Sequence, residues 1–174
     1  MLHAEEPASD ASPPTQTPDS PQLSFDWVPR PELTPERARL VPDCCDGAYV
    51  EPAYPLPLDV DPATVQIQTR AQNLEYWLQD RAEFSGGVEV TRGNQSIRMT
   101  RATYDETKQI VDVDGGLTLR EPGLLVIGER AEVALGTGAA SISDAQFVLQ
   151  PNQLRGTAQT LVRDADGNVR VLHG

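Results

Sequence analysis

The sequence has few residues of the kinds that perform catalysis or bind metals. Its two histidines, His3 and His173, stand near opposite ends of the 174 residues. A serine or cysteine nucleophile inside the chain therefore has no histidine nearby to act as its base. The two cysteines, Cys44 and Cys45, have no further cysteine or histidine close by to complete a tetrahedral zinc site. The sequence predicts neither an enzyme nor a protein that holds a metal or another cofactor.

Long apolar runs and positive charge are also missing. No segment approaches the roughly 18 consecutive apolar residues of a membrane-spanning helix. The formal net charge is −12, and residues 1–62 carry most of it, with 12 acidic and 3 basic residues. Such a chain lacks the basic surface that binds nucleic acid. An acidic, proline-rich stretch follows Met1 in place of a signal peptide, so an exported form would have lost its signal.

Proline and glycine divide the chain near residue 62. Of the 15 prolines, 13 lie in residues 1–62, and 12 of the 13 glycines lie after them. Residues 1–24 are rich in proline, serine and acidic residues and are predicted to be disordered. Residues 25–62 are predicted to be an extended segment with a short helix over Pro35–Leu40, capped by Thr34 and ended before Pro42. Residues 63–174 are predicted to form the folded domain.

The two cysteines are neighbours in this extended segment, and they leave the cellular compartment open. A bridge between Cys44 and Cys45 would make a strained ring, because ordinary disulfides place their Cα atoms about 4.4–6.8 Å apart. Two free thiols would suit a reducing cytosol. Two thiols that await partners elsewhere would suit an oxidising compartment.

Apolar and polar residues alternate along five short segments of the predicted domain. This period of two is typical of strands with one apolar and one solvated face. The segments are 65–68, 88–91, 97–100, 117–120 and 131–133. Glycine-containing turns are predicted between strands, at 86–87, 92–94, 114–116, 122–123, 136–138 and 166–167. Turns at spacings near ten residues indicate an all-β sandwich, barrel or roll.

An internal repeat narrows this choice. Residues 86–90 correspond to residues 115–119 at an offset of 29, and residues 97–102 correspond to 126–131 at the same offset. Residues 154–158 continue the series at an offset of 27. Each unit is expected to contain a few short strands that cannot bury an apolar face alone and must stack. The repeat predicts an all-β roll of stacked antiparallel strands, with two sheets and an interior lined by alternate residues.

The alternation also predicts which side chains line that interior. They are Val88, Val90, Ile97, Met99, Leu117, Leu119, Leu125, Ile127, Phe147 and Leu149. A packed sandwich core would give the same aliphatic set, so the pattern alone does not separate a ligand groove from a plain core.

Three polar motifs are better explained by structure than by binding. Asp112 and Asp114 share one strand face and could help to bind a cation, but a solvated strand end before Gly115 explains them better. Residues 164–168 resemble the start of a calcium loop without its closing glutamate, so a hairpin turn at Asp166 and Gly167 is the better interpretation. Residues 136–138 are not followed by the helix that a phosphate loop requires.

Several of these segments together resemble a known family. Residues 84–90 and 97–105 are similar to the OstA repeat, which LptA and the N-terminal domain of LptD proteins share. Residues 125–132 fit a second unit, although Val133, Ala134 and Leu135 replace the usual Tyr-Asp pair. The parts of residues 25–62 that resemble the segment before the OstA-like domain of LptD proteins are 27–29, 33–36 and 45–52.

The resemblance implies a function. It implies a periplasmic jellyroll at the outer membrane that accepts lipopolysaccharide from LptA by edge-strand addition. The ten interior residues would then line a groove that guides the acyl chains of lipid A to a C-terminal β-barrel associated with LptE. The resemblance also implies disulfides from Cys44 and Cys45 to cysteines near the C-terminal end of an LptD chain. The alternative is a structural β-repeat module that binds no lipid.

Overall fold

The computed structural model describes residues 25–173, and the predicted disorder of residues 1–24 lies outside this range. The described residues are mostly strand. The elements are β1 (Trp27–Pro29), α1 (Pro35–Ala38), β2 (Gly47–Tyr49), β3 (Gln68–Arg70), β4 (Asn73–Trp77), β5 (Arg81–Arg92), β6 (Gln95–Asp105), β7 (Ile110–Glu121), β8 (Leu124–Ala134), β9 (Ala140–Leu149), β10 (Leu154–Arg163) and β11 (Val169–Leu172). Short 3₁₀ turns lie at Arg30–Glu32, Pro62–Thr64 and Gln150–Asn152.

Strands β3 to β11 form a single antiparallel sheet of nine strands, where the sequence had predicted two sheets. From β5 to β11 each strand pairs with its neighbour in sequence. The other side of β5 has two partners, because β4 pairs with residues 81–85 and β3 with residues 89–91. Strands β1 and β2 form a separate two-stranded ribbon. The predicted jellyroll is confirmed, but a single continuous sheet forms it.

The long strands are interrupted near their middles, which divides the sheet into two halves. The register of β5 on β6 shifts between Ser85 and Val88, and the register of β7 on β8 shifts between Asp114 and Leu117. The half of the sheet that contains β3 lies on one side of these shifts, and we call it the β3 half. The other half contains β4 and β11, and we call it the β4 half. Both halves contribute to one core, so the sheet folds towards itself along this line.

The core contains small and aliphatic side chains from both halves. The β3 half contributes Val88, Met99, Leu117, Val126, Ala145 and Ala158, and the β4 half contributes Ala102, Val113, Ala131, Ile142 and Leu161. Within β6 the inward positions change from odd to even numbers across the interruption, from Met99 to Ala102. An extra residue in a strand changes which side chains face inward, and here the change keeps both halves apolar towards the same interior.

Two of the predicted turns are bulges inside continuous strands. Gly86 and Gly87 lie within β5, and Gly115 and Gly116 lie within β7, all four with φ between 79° and 93°. A positive φ is the conformation that glycine adopts without steric cost. The repeat of 29 residues is therefore a hairpin of two long strands, β5–β6 and β7–β8, instead of several short strands. The predicted turns at 92–94, 122–123, 136–138 and 166–167 do connect strands.

Two predictions near the start of the domain need correction. The predicted strand at 65–68 reaches the sheet only at Gln68, because the 3₁₀ turn at Pro62–Thr64 hydrogen-bonds Val65 N–H to Pro62 O. The helix starts where predicted, with Thr34 Oγ1 accepting from Arg37 N–H, but it ends at Ala38 instead of Leu40. The N–H of Leu40 donates to Arg37 O three residues back, which is a 3₁₀-type bond that closes the turn.

Residues 25–56, which we call the leader, pack on the outer face of the β3 half. Phe25 is buried against Leu125 and Val148. Next to it, Arg120 donates two hydrogen bonds to the carboxylate of Asp26, at 2.5 and 3.0 Å. Gln150 Nε2 donates a third hydrogen bond to that carboxylate, at 3.1 Å. These contacts fix the leader to the sheet by an apolar plug beside a bidentate ion pair.

The leader is held at two further places. The side-chain amide of Gln153 accepts from the N–H of Tyr49 at 2.8 Å and donates to the C=O of the same residue at 2.9 Å. Tyr54 donates to Glu51 Oε1 at 2.9 Å and lies 3.3 Å from Glu121 O. Burial, followed by the hydrogen bond to Glu51, raises the pKa of Tyr54 from 10.0 to about 12. The leader is therefore attached along its length to the turns at one end of the sheet.

We predict that Arg120→Met lowers the free energy of unfolding by about 2 kcal/mol, because it leaves the largely buried Asp26 carboxylate without its cation. Urea unfolding followed by circular dichroism measures the loss. Arg98→Met is the matched control, since Arg98 makes an exposed ion pair with Glu89 and should cost less than about 0.5 kcal/mol. Equal losses in the two variants would contradict a structural role for the Asp26–Arg120 pair.

We also predict an alkaline transition that belongs to Tyr54. The fold favours the neutral phenol, so its contribution to stability is complete below pH 10 and declines as the pH rises towards 12. Tyr54→Phe should remove a phenolate absorbance step near pH 12, and Tyr104→Phe should retain it. A titration curve that Tyr54→Phe leaves unchanged at its alkaline end would overturn this assignment.

Candidate functional site

The interior of the roll contains eight of the ten residues predicted to line it. Val88, Met99 and Leu117 are buried in the core, with Val88 only 2% exposed. The other five are half-buried and share the inward face of the β3 half: Val90, Ile97, Leu119, Phe147 and Leu149. The interior is therefore filled with side chains at the fold line and more accessible towards the outer ends of the strands.

Leu125 and Ile127 do not belong to this interior. They lie on the opposite face of β8, where they pack with Phe25, Tyr49 and Val148 beneath the leader. The unbroken apolar run 124–127 has side chains on both faces of the sheet, so alternation could not assign its orientation. In this run Leu124 and Val126 are the residues that face the interior.

The β4 half supplies interior residues that the sequence prediction missed. Val111, Val113, Ile142 and Leu161 face the same core as the predicted set. Alternation in residues 110–114 was a usable signal for the first two. Ile142 lies between two serines and Leu161 adjoins Val162, so neither belongs to a clear alternation of apolar and polar residues.

Two glycines adjust the shape of the interior. A Cβ atom on Gly156 would lie 2.5 Å from Cζ of Phe147, so the absence of a side chain there lets the phenyl ring lie across β10. A Cβ atom on Gly128 would overlap Cγ2 of Ile142 and lie 3.1 Å from Ser143 O. Glycine is therefore required at both positions by close packing, at φ values that other residues can adopt.

An open cleft of about 350 Å³ lies at the fold line. Core residues Met99 and Leu117 line it together with polar residues of the outer face. The remaining lining residues are Arg98, Thr100, Gly115, Gly116, Thr118, Ile127 and Gly128. The cleft therefore lies beside the glycine bulges, where the core residues Met99 and Leu117 remain only 7% and 5% exposed.

Both edges of the sheet expose apolar side chains that continue the interior rows. On β4, Leu74 is 60% exposed and Tyr76 is 56% exposed, and their register partners on β5 are Phe84 and Ala82. On β11, Val169 and Val171 are also exposed, and Val171 pairs with the core residue Leu161. Within the described sheet, β4 and β11 each pair on one side alone. The two edges thus offer free backbone groups next to apolar side chains.

The outer face of the β3 half carries paired charges. Glu89 accepts from Arg98 Nε at 2.9 Å and forms an ion pair with Arg70 at 3.6 Å. The hydrogen bond from Arg98 is the main cause that lowers the pKa of Glu89. On the β4 half, Asp114 pairs with Arg130 at 3.5 Å. The arginines and Asp114 are largely exposed, so the outer face carries ion pairs of the kind found on ordinary polar surfaces.

Cys44 and Cys45 lie in the leader, on the turn between α1 and β2. Both thiols are free, and Cys44 is exposed. Over the described residues 25–173, no three potential metal ligands come together. Over the same residues no helix has the length and hydropathy needed to cross a membrane. What remains is an apolar interior with two open edges and a surface pair of thiols.

These features define the class of protein: a jellyroll of antiparallel strands around an apolar interior. Among solved structures, the chain resembles LptH of Pseudomonas aeruginosa, described as the LptA homologous periplasmic component of the conserved lipopolysaccharide transport device. The TM-score is 0.53 at 16% sequence identity, over 63% of this chain and 84% of LptH. At this level of identity the match supports the fold alone.

Curated relatives give a more particular assignment. The chain is 31% identical over 153 residues to the LPS-assembly protein LptD of Pseudomonas savastanoi pv. phaseolicola, and 28% identical over 151 residues to LptD of Saccharophagus degradans. The matches cover 86% and 87% of this chain but only 16% and 17% of those relatives. No family model matches the chain. The chain belongs with the N-terminal, OstA-like region of LptD proteins.

We predict that Gly128→Ala destabilises the roll by about 2 kcal/mol, because the added methyl group overlaps Ile142 where the two halves meet. Chemical unfolding monitored by circular dichroism measures this change. Gly136→Ala is the matched control, since nothing lies within 4 Å of a Cβ atom at that position. A Gly128→Ala protein as stable as this control would show that the halves are not in close contact there.

Proposed function

We propose that residues 63–174 act in lipopolysaccharide transport, as a periplasmic jellyroll at the outer membrane that guides the acyl chains of lipid A and performs no catalysis. The observation that carries the proposal is the apolar interior of a roll whose two edges are open. The names of the relatives, LPS-assembly protein LptD, indicate which apolar ligand to consider. This chain spans only 16% and 17% of the length of those two relatives.

The acyl chains would contact the half-buried interior row first. Val90, Ile97, Leu119 and Phe147 lie side by side across β5 to β9, with Val126 between the last two. Each methylene group moved from water into such a surface contributes about 0.8 kcal/mol. Several acyl chains can therefore be held without any charged contact. The sugars and phosphates would remain outside the roll.

The two edges would connect the roll to its neighbours. Strand addition uses the free N–H and C=O groups of an edge strand, with side chains to give specificity. One edge would accept LptA in this way and receive lipopolysaccharide from it. The other would continue towards the C-terminal β-barrel of an LptD protein, which associates with LptE. The exposed side chains of Leu74 and Val171 mark where the apolar interior would continue into each neighbour.

The cysteines belong to the same proposal. Cys44 and Cys45 would form disulfides with cysteines near the C-terminal end of an LptD chain. The leader holds them on the outside of the roll, away from the interior, so such bridges need not disturb the lipid path. An oxidising compartment suits this use.

A second candidate function is a structural β-repeat module that binds no lipid. The filled core favours it, because Val88 and Val126 are only 2% and 1% exposed. If those contacts never open, the roll serves as a scaffold between neighbouring proteins. The two functions differ in whether hydrocarbon reaches the interior.

Photo-crosslinking to purified lipopolysaccharide separates the two. Probes at Val90 and Leu119 point inward, and probes at their strand neighbours Glu89 and Thr118 point outward. Crosslinks from the inward pair alone would support a lipid groove. A folded protein that gives no crosslink at either pair would support the scaffold.

A second test of the proposed lipid groove places a negative charge on its lining. We expect Leu119→Asp to weaken lipopolysaccharide binding by at least about tenfold, because the carboxylate must be desolvated against acyl chains. Thr118→Asp introduces the same charge on the outer face and should leave binding unchanged. Circular dichroism shows whether each variant folds. A Leu119→Asp protein that unfolds would indicate a permanently closed core instead of a groove.

A further inference from the structure

The two cysteines lie on a turn that is fixed at both ends. The N–H of Cys45 donates to Pro42 O at 2.9 Å, which closes the turn over Asp43 and Cys44. Arg30 holds the turn from the other side. Its N–H donates to Asp46 O at 2.6 Å, and its guanidinium donates to Val41 O at 2.6 Å. Val41 itself is buried, so the turn has one apolar anchor and presents its thiols outward.

The two sulfur atoms are close enough to act on each other. The Sγ atoms of Cys44 and Cys45 are 3.3 Å apart. Cys44 is exposed and Cys45 is half-buried, so a reagent in solution meets Cys44 first. The hydrogen bond with Cys44 is the main cause that raises the pKa of Cys45. Cys45 therefore keeps its proton to higher pH, and the more exposed Cys44 is the sulfur expected to attack first.

We propose that Cys44 and Cys45 form a vicinal dithiol site that accepts oxidising equivalents from a disulfide and holds them as a Cys44–Cys45 disulfide. The Cys44 thiolate attacks a sulfur of the incoming disulfide, forms a mixed disulfide and releases one thiolate of the reagent. Cys45 then loses its proton and attacks the Cys44 sulfur, which forms the vicinal bond and releases the second thiolate. The two cysteines are oxidised, and the reagent is reduced from a disulfide to two thiols.

The product is suited to passing its oxidation on. Neighbouring Cα atoms are about 3.8 Å apart, which is shorter than the roughly 4.4–6.8 Å of ordinary disulfides. Strained disulfides have higher reduction potentials and exchange readily. A third thiol that reaches this exposed turn would attack the vicinal bond, form a mixed disulfide with one cysteine and return the other as a free thiol. The site would thus hold its oxidation in a form that such a thiol can take over by exchange.

This inference does not depend on lipid binding, and the test uses the full chain with oxidised glutathione as the reagent. After acid quenching and alkylation of free thiols, intact-mass spectrometry counts the products. The expected product has lost two hydrogen atoms, carries no glutathione and offers no thiol to the alkylating reagent. Cys45→Ser should instead accumulate a stable glutathione adduct on Cys44, because the second attack is lost.

The order of attack has its own control. Cys44→Ser retains only the less exposed sulfur, so its adduct should form several-fold more slowly than that of Cys45→Ser. Both positions lie on the surface turn, and circular dichroism should show the same fold for both variants. A wild-type chain that retains one or two glutathiones would overturn the vicinal site. Equal rates in the two variants would overturn the assigned order.

Discussion

The line of backbone interruptions across the long strands is the constraint on which the rest of this structure depends. Without these interruptions, a nine-stranded antiparallel sheet would remain open, and its apolar face would need a further layer to cover it. At the line, Gly86, Gly87, Gly115 and Gly116 adopt positive φ, and both parts of the sheet then contribute side chains to one core. Asp144 has a φ of 51° at the equivalent position in β9, 29 residues after Gly115. The interior, the edges and the fold-line cleft all follow from this bend.

The bend covers only the inner face, and the leader covers part of the outer one. Leu125 and Val148 are buried although they face away from the interior, because Phe25 packs on them. The Asp26–Arg120 pair beside this contact is largely removed from solvent, so it also fixes the direction in which the leader runs. The apolar contact of Phe25 stabilises the attachment of the leader, and the ion pair fixes the position of the leader on the sheet. The cysteine turn has its place on the surface as a consequence.

The sequence predicts the strands better than it predicts what interrupts them. Alternation located the central strands correctly, since Val88, Met99 and Leu117 each face the core as expected. Gly86 and Gly87 were wrongly assigned to a turn, because a glycine pair permits positive φ in a bulge as well as in a hairpin. Asp144 was not predicted as an interruption, although aspartate adopts positive φ more often than most residues other than glycine. One extra residue in a bulge reverses which side chains of the strand face the core. The alternation of apolar and polar residues does not show where that extra residue lies.

A filled interior and a lipid-carrying function are compatible on physical grounds. The core side chains that meet across the bend are aliphatic or alanine, and acyl chains offer the same kind of contact. Separating the halves onto hydrocarbon exchanges one set of apolar contacts for another, whereas separating them into water would cost about 25 cal/mol for each Å² exposed. The roll would therefore be closed when empty and would open only where acyl chains replace its own contacts. The exposure of the interior side chains rises from the fold line towards Leu119 and Phe147. Acyl chains that enter there would therefore disturb the fewest buried contacts.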